Sequence, residues 1–142
     1  MKKLGLLFLV LFSMNIYAQG HGVIGKWNTI DDATGKAMSV VEIFEYNNKI
    51  YGKVIEILNP KNRNNTCKDC PGDDHNKPIL GLVIIKGLVK DGLEYNDGRI
   101  LDPKSGKLYK CYIELEGTDK LKVRGYLGFS LIGRTQYWER VK

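Results

Sequence analysis

Histidine is scarce in this chain, whose 142 residues include only His21 and His75. No serine occurs in a nucleophile motif, and the acid pairs Asp31-Asp32 and Asp73-Asp74 fall in turn-like stretches, where carboxylates are normally solvated. General acid–base catalysis needs a buried pair of tuned groups, and the sequence offers no candidate for one. We therefore expect no catalytic residue and no cofactor, and the sequence favours a protein that is not an enzyme.

Long apolar runs are also missing, except near the N-terminus. Lys2 and Lys3 precede an apolar stretch at 4–12, and Ala18 offers a small residue at a cleavage site before Gln19. This order is typical of a secretory signal peptide, and the stretch is too short to span a bilayer. No cysteine lies near the cleavage site, which argues against a lipoprotein anchor. We expect a signal peptide at 1–18, a mature N-terminus at Gln19 that can cyclise to pyroglutamate, and an exported protein, periplasmic or secreted, without a transmembrane segment.

The chain has no basic run with interleaved aromatic residues. The formal net charge of +6 includes the two leader lysines, so residues 19–142 carry +4, and their Lys and Arg are spread along the chain. Nucleic-acid binding relies on clustered basic residues, so the sequence does not predict nucleic acid as a partner.

Cysteine occurs three times, as Cys67, Cys70 and Cys111. The Cys67–Cys70 spacing allows a local disulfide, a redox or thiol-sensing pair, or half of a zinc site. Zinc needs two more ligands and a thioredoxin-like pair needs a βαβ unit, and neither is apparent. The acids between 69 and 74 do not have the spacing of a calcium loop, so we expect no metal site. In an oxidising compartment the pattern favours a Cys67–Cys70 disulfide, with Cys111 free and facing inward.

Sustained helical periodicity is absent as well. Short apolar runs instead alternate with turn signals such as Asn47-Asn48 and Asn96-Asp97-Gly98, which predicts an all-β chain. A long polar loop at 59–78 carries the two neighbouring cysteines. Because tight turns join the strands, we predict one domain, 19–142, folded as a single up-and-down antiparallel β-barrel of eight or nine strands. The predicted strands cover residues 25–30, 38–46, 49–58, 80–88, 93–95, 99–101, 107–115, 120–127 and 134–141.

The last predicted strand suggests how the barrel closes. Side chains alternate along a strand, so Arg134, Gln136, Trp138 and Arg140 share one face. The first and last strands are neighbours in a closed up-and-down barrel, which places Trp27 near the end of the last strand. We predict that the Arg140 guanidinium stacks on the Trp27 indole and closes one end.

Several motifs together resemble a known family: Gly25-Lys26-Trp27 and the segments 76–81, 102–109, 121–128 and 133–140. They are similar to an uncharacterised family of small exported bacterial proteins, a domain of unknown function. The resemblance covers nearly all of 19–142 and implies a calycin fold, the lipocalin-like barrel. It implies no activity.

Three functions remain open from the sequence. The first is binding of a small apolar or amphipathic ligand inside the barrel, with Trp27, Tyr109, Ile113 and Trp138 as candidate ligand-contacting residues. The second is a filled barrel that acts as an envelope or surface interaction module through the 59–78 loop. The third is a thiol-active protein, which needs an exposed sulfur in the cysteine pair.

Overall fold

The computed structural model of the chain describes residues 22–129 and 131–142. The predicted signal peptide at 1–18 and the predicted mature N-terminus at Gln19 lie outside the described residues. Eight strands form a closed barrel in which each strand pairs antiparallel with the next and the last pairs with the first. The strands are β1 (Gly25–Ile30), β2 (Ala37–Tyr46), β3 (Lys49–Ile57), β4 (Val83–Asp91), β5 (Glu94–Leu101), β6 (Leu108–Glu116), β7 (Lys120–Tyr126) and β8 (Gly133–Arg140). The predicted up-and-down barrel is confirmed, with eight strands.

The connections between strands alternate between two ends of the barrel. At the end that we call the mouth lie the connections 31–36, 58–82, 102–107 and 127–132. At the opposite end, which we call the closed end, lie residues 22–24 and the tight turns at 47–48, 92–93 and 117–119. Asn47 and Asn48 have φ of 49° and 61°, the left-handed conformation that Asn tolerates in a two-residue hairpin turn. The mouth therefore carries the long connections and the closed end the short ones.

The predicted turn at Asn96-Asp97-Gly98 is wrong, because these residues lie within the continuous strand β5. The pairing register with β6 shifts between Tyr95 and Gly98, and Asp97 has a φ of 61°, as in a β-bulge. Gly98 is needed there, because a Cβ at this position would lie 2.5 Å from the carbonyl oxygen of Lys86 on β4. The glycine of this turn-like sequence thus allows β5 to pack closely against β4.

The core lies inside the barrel towards the closed end. Among its fully buried side chains are two tryptophans and large aliphatic residues from four strands: Trp27, Trp138, Ile43, Ile85, Leu88, Ile113 and Leu121. Each buried aliphatic side chain stabilises the fold by about 1.5–3 kcal/mol relative to an exposed one. Within 22–129 and 131–142, no helix is long and apolar enough to cross a membrane.

The 58–82 connection lies at the mouth and is tied down at two places. It contains two short 3-10 turns, Pro60–Asn62 and Gly72–Asp74. Asp74 accepts a hydrogen bond from Lys86 on β4 at 2.5 Å. The loop also packs against the β5–β6 turn, where a Cβ on Gly106 would lie 1.9 Å from the carbonyl oxygen of Asp69. The loop is therefore a fixed part of the mouth.

Candidate functional site

A cavity of about 530 Å³ occupies the mouth half of the barrel. Its volume lies in the range of about 300–1,000 Å³ that is usual for small-molecule sites. Its wall is mostly apolar, and β3, β4, β5 and β7 contribute aliphatic side chains that include Val54, Ile84, Ile100, Leu101 and Val123. An apolar molecule would exchange water for dispersion contacts here. The interior of this half is therefore not filled, in contrast to the filled-barrel alternative.

Polar groups follow β8 from the rim of the cavity to its floor. At the rim, Arg134 forms an ion pair with Asp32 of the β1–β2 loop. The amide nitrogen of Gln136 also donates to Asp32, at 3.3 Å, and its amide oxygen accepts from the indole N–H of Trp138, at 3.3 Å. The hydrogen bond from Arg134 is the main cause that lowers the pKa of Asp32, and burial opposes it. This chain of contacts fixes the β1–β2 loop against β8.

A second polar spot lies between β1 and β2, where Thr29 pairs with Ser39. The hydroxyl groups of Thr29 and Ser39 are 2.7 Å apart, and both residues line the cavity. Thr29 is the one buried polar residue of the described chain. Hydroxyl oxygens keep acceptor capacity when they share one hydrogen bond, so this pair can accept a hydrogen bond from a bound molecule.

The structure brings two of the four candidate ligand-contacting residues to the cavity. Tyr109 and Trp138 line it. Trp27 and Ile113 do not line it, and both are fully buried in the core. Ile113 lies four residues after Tyr109 on β6, which runs from the mouth to the closed end, and so it lies deeper in the barrel. Trp27 lies deeper still, at the closed end.

The closed end is built on Trp27 and Arg140, which are paired across β1 and β8. The guanidinium carbon lies 4.3 Å from the centre of the indole ring. Arg140 also donates to the carbonyl oxygens of Thr118 at 2.9 Å and Gly22 at 2.8 Å. The indole N–H of Trp27 donates to the carbonyl oxygen of Val23 at 2.9 Å. These contacts tie the N-terminal residues to the β6–β7 turn and leave the mouth as the entrance.

The predicted disulfide is confirmed: Cys67 and Cys70 are bonded, with a Cα–Cα distance of 5.3 Å. Both residues are buried, and the sulfur of Cys67 lies 3.5 Å from the carbonyl oxygen of Pro103, which lines the cavity. The thiol-active alternative requires an exposed sulfur, so the burial argues against it. The disulfide instead supports the β5–β6 turn at the mouth.

Cys111 is free and buried, and burial raises the pKa of its thiol to about 12. A thiol that holds its proton this strongly is a poor nucleophile. In the part of the chain that the structure describes, no group of three or more His, Cys, Asp and Glu residues is placed to hold a metal ion.

Sequence reasoning did not assign Thr29, Ser39, Asp32, Arg134 or Gln136 to the site. The period-two pattern of β8 already placed Arg134 and Gln136 on the same face as Trp138. Polar residues on an inward face are a signal of a solvated or ligand-binding interior, and this signal could have found them. The Asp32 contact had no signal in the local sequence, because it depends on barrel closure.

The comparisons with known proteins agree with this architecture. Residues 25–140 match the model of a family described as an uncharacterized protein conserved in bacteria, DUF2147. Among solved structures, protein HP1028 from the human pathogen Helicobacter pylori, described as belonging to the lipocalin family, is similar with a TM-score of 0.73. The identity is 24%, and the match covers 84% of this chain and 82% of that one, so it shows the shared fold alone. The comparison with curated proteins gives no match.

Proposed function

We propose that the protein binds a small apolar or amphipathic molecule inside the barrel. The chain belongs to the DUF2147 family of uncharacterized bacterial proteins, and the description of that family assigns no activity. The proposal is therefore argued from the cavity. The observation that carries this proposal is the cavity of about 530 Å³ with a mostly apolar wall and a polar rim. A barrel of eight strands has room for side chains or for one small ligand. The lipocalin-like fold is compatible with the second arrangement.

The distribution of polar groups favours an elongated ligand with one polar end. Val54, Ile84 and Val123 form an apolar wall, whereas Arg134 and Lys104 lie at the rim. A ligand oriented with its polar end at the rim would keep that end near water and bury its apolar part. Trp138 at the floor would contact the apolar part.

We also propose that the protein acts outside the cytoplasm. The order of charged, apolar and small residues at 1–18 supports a cleaved leader, and the Cys67–Cys70 disulfide is of the kind that persists in oxidising compartments. Fractionation of the native host and N-terminal sequencing of the exported protein test this, and an intact Met1 would contradict it.

Ligand binding is tested with the apolar dye N-phenylnaphthylamine, whose fluorescence rises in an apolar site. Val123 lines the cavity and is buried, whereas Val89 is exposed on β4. Val123→Phe should fill part of the cavity and weaken dye binding by about tenfold, as expected for a loss of about 1.4 kcal/mol. Val89→Phe makes the same chemical change on the outer surface and should leave binding unchanged.

A second variant with a smaller added side chain keeps the test valid if Val123→Phe does not fold. Gly125 lines the cavity, and a Cβ there would lie 3.3 Å from a methyl carbon of Ile100, so Gly125→Ala narrows the cavity by one methyl group. Circular dichroism would verify that each variant is folded. If the wild-type protein does not bind the dye, or folded Val123→Phe and Gly125→Ala bind it as well as Val89→Phe does, the proposal is wrong.

A further inference from the structure

Four large apolar side chains are exposed beside the cavity entrance. They belong to the β7–β8 connection and have exposed fractions of 55% for Leu127, 76% for Phe129, 91% for Leu131 and 61% for Ile132. We call these four residues the mouth patch. Single exposed apolar residues are ordinary, but four within the six residues of one connection indicate an interaction surface.

The mouth patch continues into the cavity. Leu127 and Ile132 line the cavity as well as being exposed, so apolar surface runs from the outside of the barrel to its interior. No charged residue occurs from 127 to 133 in the sequence. An apolar molecule could therefore pass between the patch and the cavity along apolar side chains. This continuity favours a lipid surface as the partner.

The charges around the patch complement anionic lipid. Three exposed lysines lie on the neighbouring mouth loops, and among the described residues none of the ion pairs includes them: Lys36, Lys104 and Lys107. The three carboxylates of the loops 31–36 and 102–107 accept hydrogen bonds within the protein: Asp31, Asp32 and Asp102. Asp102 accepts hydrogen bonds from the Lys104 amide at 3.0 Å and the Ser105 hydroxyl at 2.9 Å. The lysine ammonium groups are thus free to contact lipid phosphates.

We propose that the mouth patch docks the barrel on the surface of an anionic lipid bilayer, with the cavity entrance facing the lipid. The apolar side chains enter the interface between head groups and acyl chains, and the three lysines contact lipid phosphates. Docking depends on the outer surface of the mouth, so it stands independently of ligand binding in the cavity. It gives the protein a place to collect or deliver a lipophilic molecule.

Flotation with large unilamellar vesicles tests the proposal on the full mature chain without any dye. Vesicles of phosphatidylglycerol and phosphatidylethanolamine should carry the protein, and phosphatidylcholine vesicles should carry much less. The double variant Phe129→Ser, Leu131→Ser should reduce the bound fraction on anionic vesicles by about tenfold or more, because two large apolar side chains are lost from the interface. The matched control is Leu93→Ser, which removes a side chain that is 83% exposed at the closed end and should have no effect.

A separate experiment tests whether the mouth lysines contribute to vesicle binding. Lys104→Glu, Lys107→Glu should weaken binding to anionic vesicles, and raised salt should weaken wild-type binding, because both reduce attraction to phosphates. The proposal is overturned if the wild-type protein does not bind anionic vesicles, or if Leu93→Ser loses as much binding as the mouth variant. It is also overturned if sedimentation shows a wild-type dimer that the mouth variant converts to a monomer, because a second copy would then cover the patch.

Discussion

The guanidinium of Arg140 lies over the indole of Trp27, with 4.3 Å between the guanidinium carbon and the ring centre. The Arg140 side chain is 17% exposed and donates to the carbonyl oxygens of Gly22, Ile24 and Thr118, so it bonds both the N-terminal segment 22–24 and the β6–β7 turn. A cation–π contact contributes about 0.5–2 kcal/mol, and the contact gains strength where water is excluded.

Arg140→Ala should therefore lower the free energy of unfolding by about 2–4 kcal/mol, since it removes the ring contact and several charged hydrogen bonds. Arg134→Ala is the matched comparison on the same face of β8. The Arg134 side chain is 68% exposed, and its ion pair with Asp32 is worth about 0–1 kcal/mol. Urea denaturation of both variants measures the difference, and equal losses would contradict this account of barrel closure.

The two mouth turns at 31–36 and 102–107 offer a matched pair of glycines. Each turn begins with an Asp whose carbonyl accepts from the glycine amide, Gly35 at 2.7 Å and Gly106 at 2.8 Å, and each glycine has a positive φ. A Cβ on Gly35 would meet nothing within 4 Å, whereas one on Gly106 would clash with Asp69. Gly35→Ala should cost about 1 kcal/mol from backbone strain, and Gly106→Ala about 3 kcal/mol or more.

Thermal unfolding of the two alanine variants measures this difference. Gly106→Ala should also expose the Cys67–Cys70 disulfide to reductant, because the disulfide loop must move away from the turn. Equal melting temperatures for the two variants would show that the 58–82 connection does not rest on the β5–β6 turn.

Asp74 should make the stability of the protein depend on pH in the acid range. The hydrogen bond from Lys86 is the main cause that lowers the pKa of Asp74 below its ordinary value. A lowered pKa in the folded state stabilises the fold above the unfolded-state pKa, and the contribution is lost as the pH falls through the folded-state pKa. Asp74→Asn should thus cost about 1 kcal/mol at neutral pH and clearly less at about pH 2.

The control for this measurement is Asp73→Asn, which changes an exposed neighbour that forms no ion pair among the described residues. Urea midpoints of both variants at the two pH values provide the comparison. The assignment fails if Asp74→Asn costs the same at both pH values.

Cys111 provides a chemical probe of unfolding. It is fully buried and its thiol pKa is raised to about 12, whereas Cys67 and Cys70 are bonded to each other. Alkylation without reductant should label no cysteine in the native protein and only Cys111 in urea. Mass spectrometry counts the labels. Two labelled thiols in the native 59–78 loop would mean that the disulfide is absent.

Alternation along the strands was enough to predict which side chains point inward, but not how deep each one lies. Tyr109 and Ile113 share a face of β6, and only Tyr109 lines the cavity. Depth depends on strand register around the whole barrel, which local sequence does not determine. The same holds for Asp32 and Arg134, which meet only because β1 and β8 close the barrel.

The error in β5 has a related cause. Asn96-Asp97-Gly98 has the composition of a turn, and a turn there would divide β5 into the two short strands that were predicted, 93–95 and 99–101. Pairing with both β4 and β6 overrides that local preference, and the glycine is used for its lack of a Cβ. The local composition correctly indicated an irregular backbone at 96–98. Whether such an irregularity forms a turn or a bulge depends on the strands that pair with it.

The seam between β1 and β8 has only two residue pairs in the described structure, Trp27 with Arg140 and Asn28 with Glu139. These partners lie near opposite ends of the domain in sequence. During synthesis, the outer edge of β1 must therefore stay unpaired until β8 emerges, and the entropy of closing so long a loop makes this a slow step. An open sheet with two free edges is prone to associate with other chains. Folding of this protein thus depends most on the eight residues of β8, because they turn an aggregation-prone sheet into a barrel.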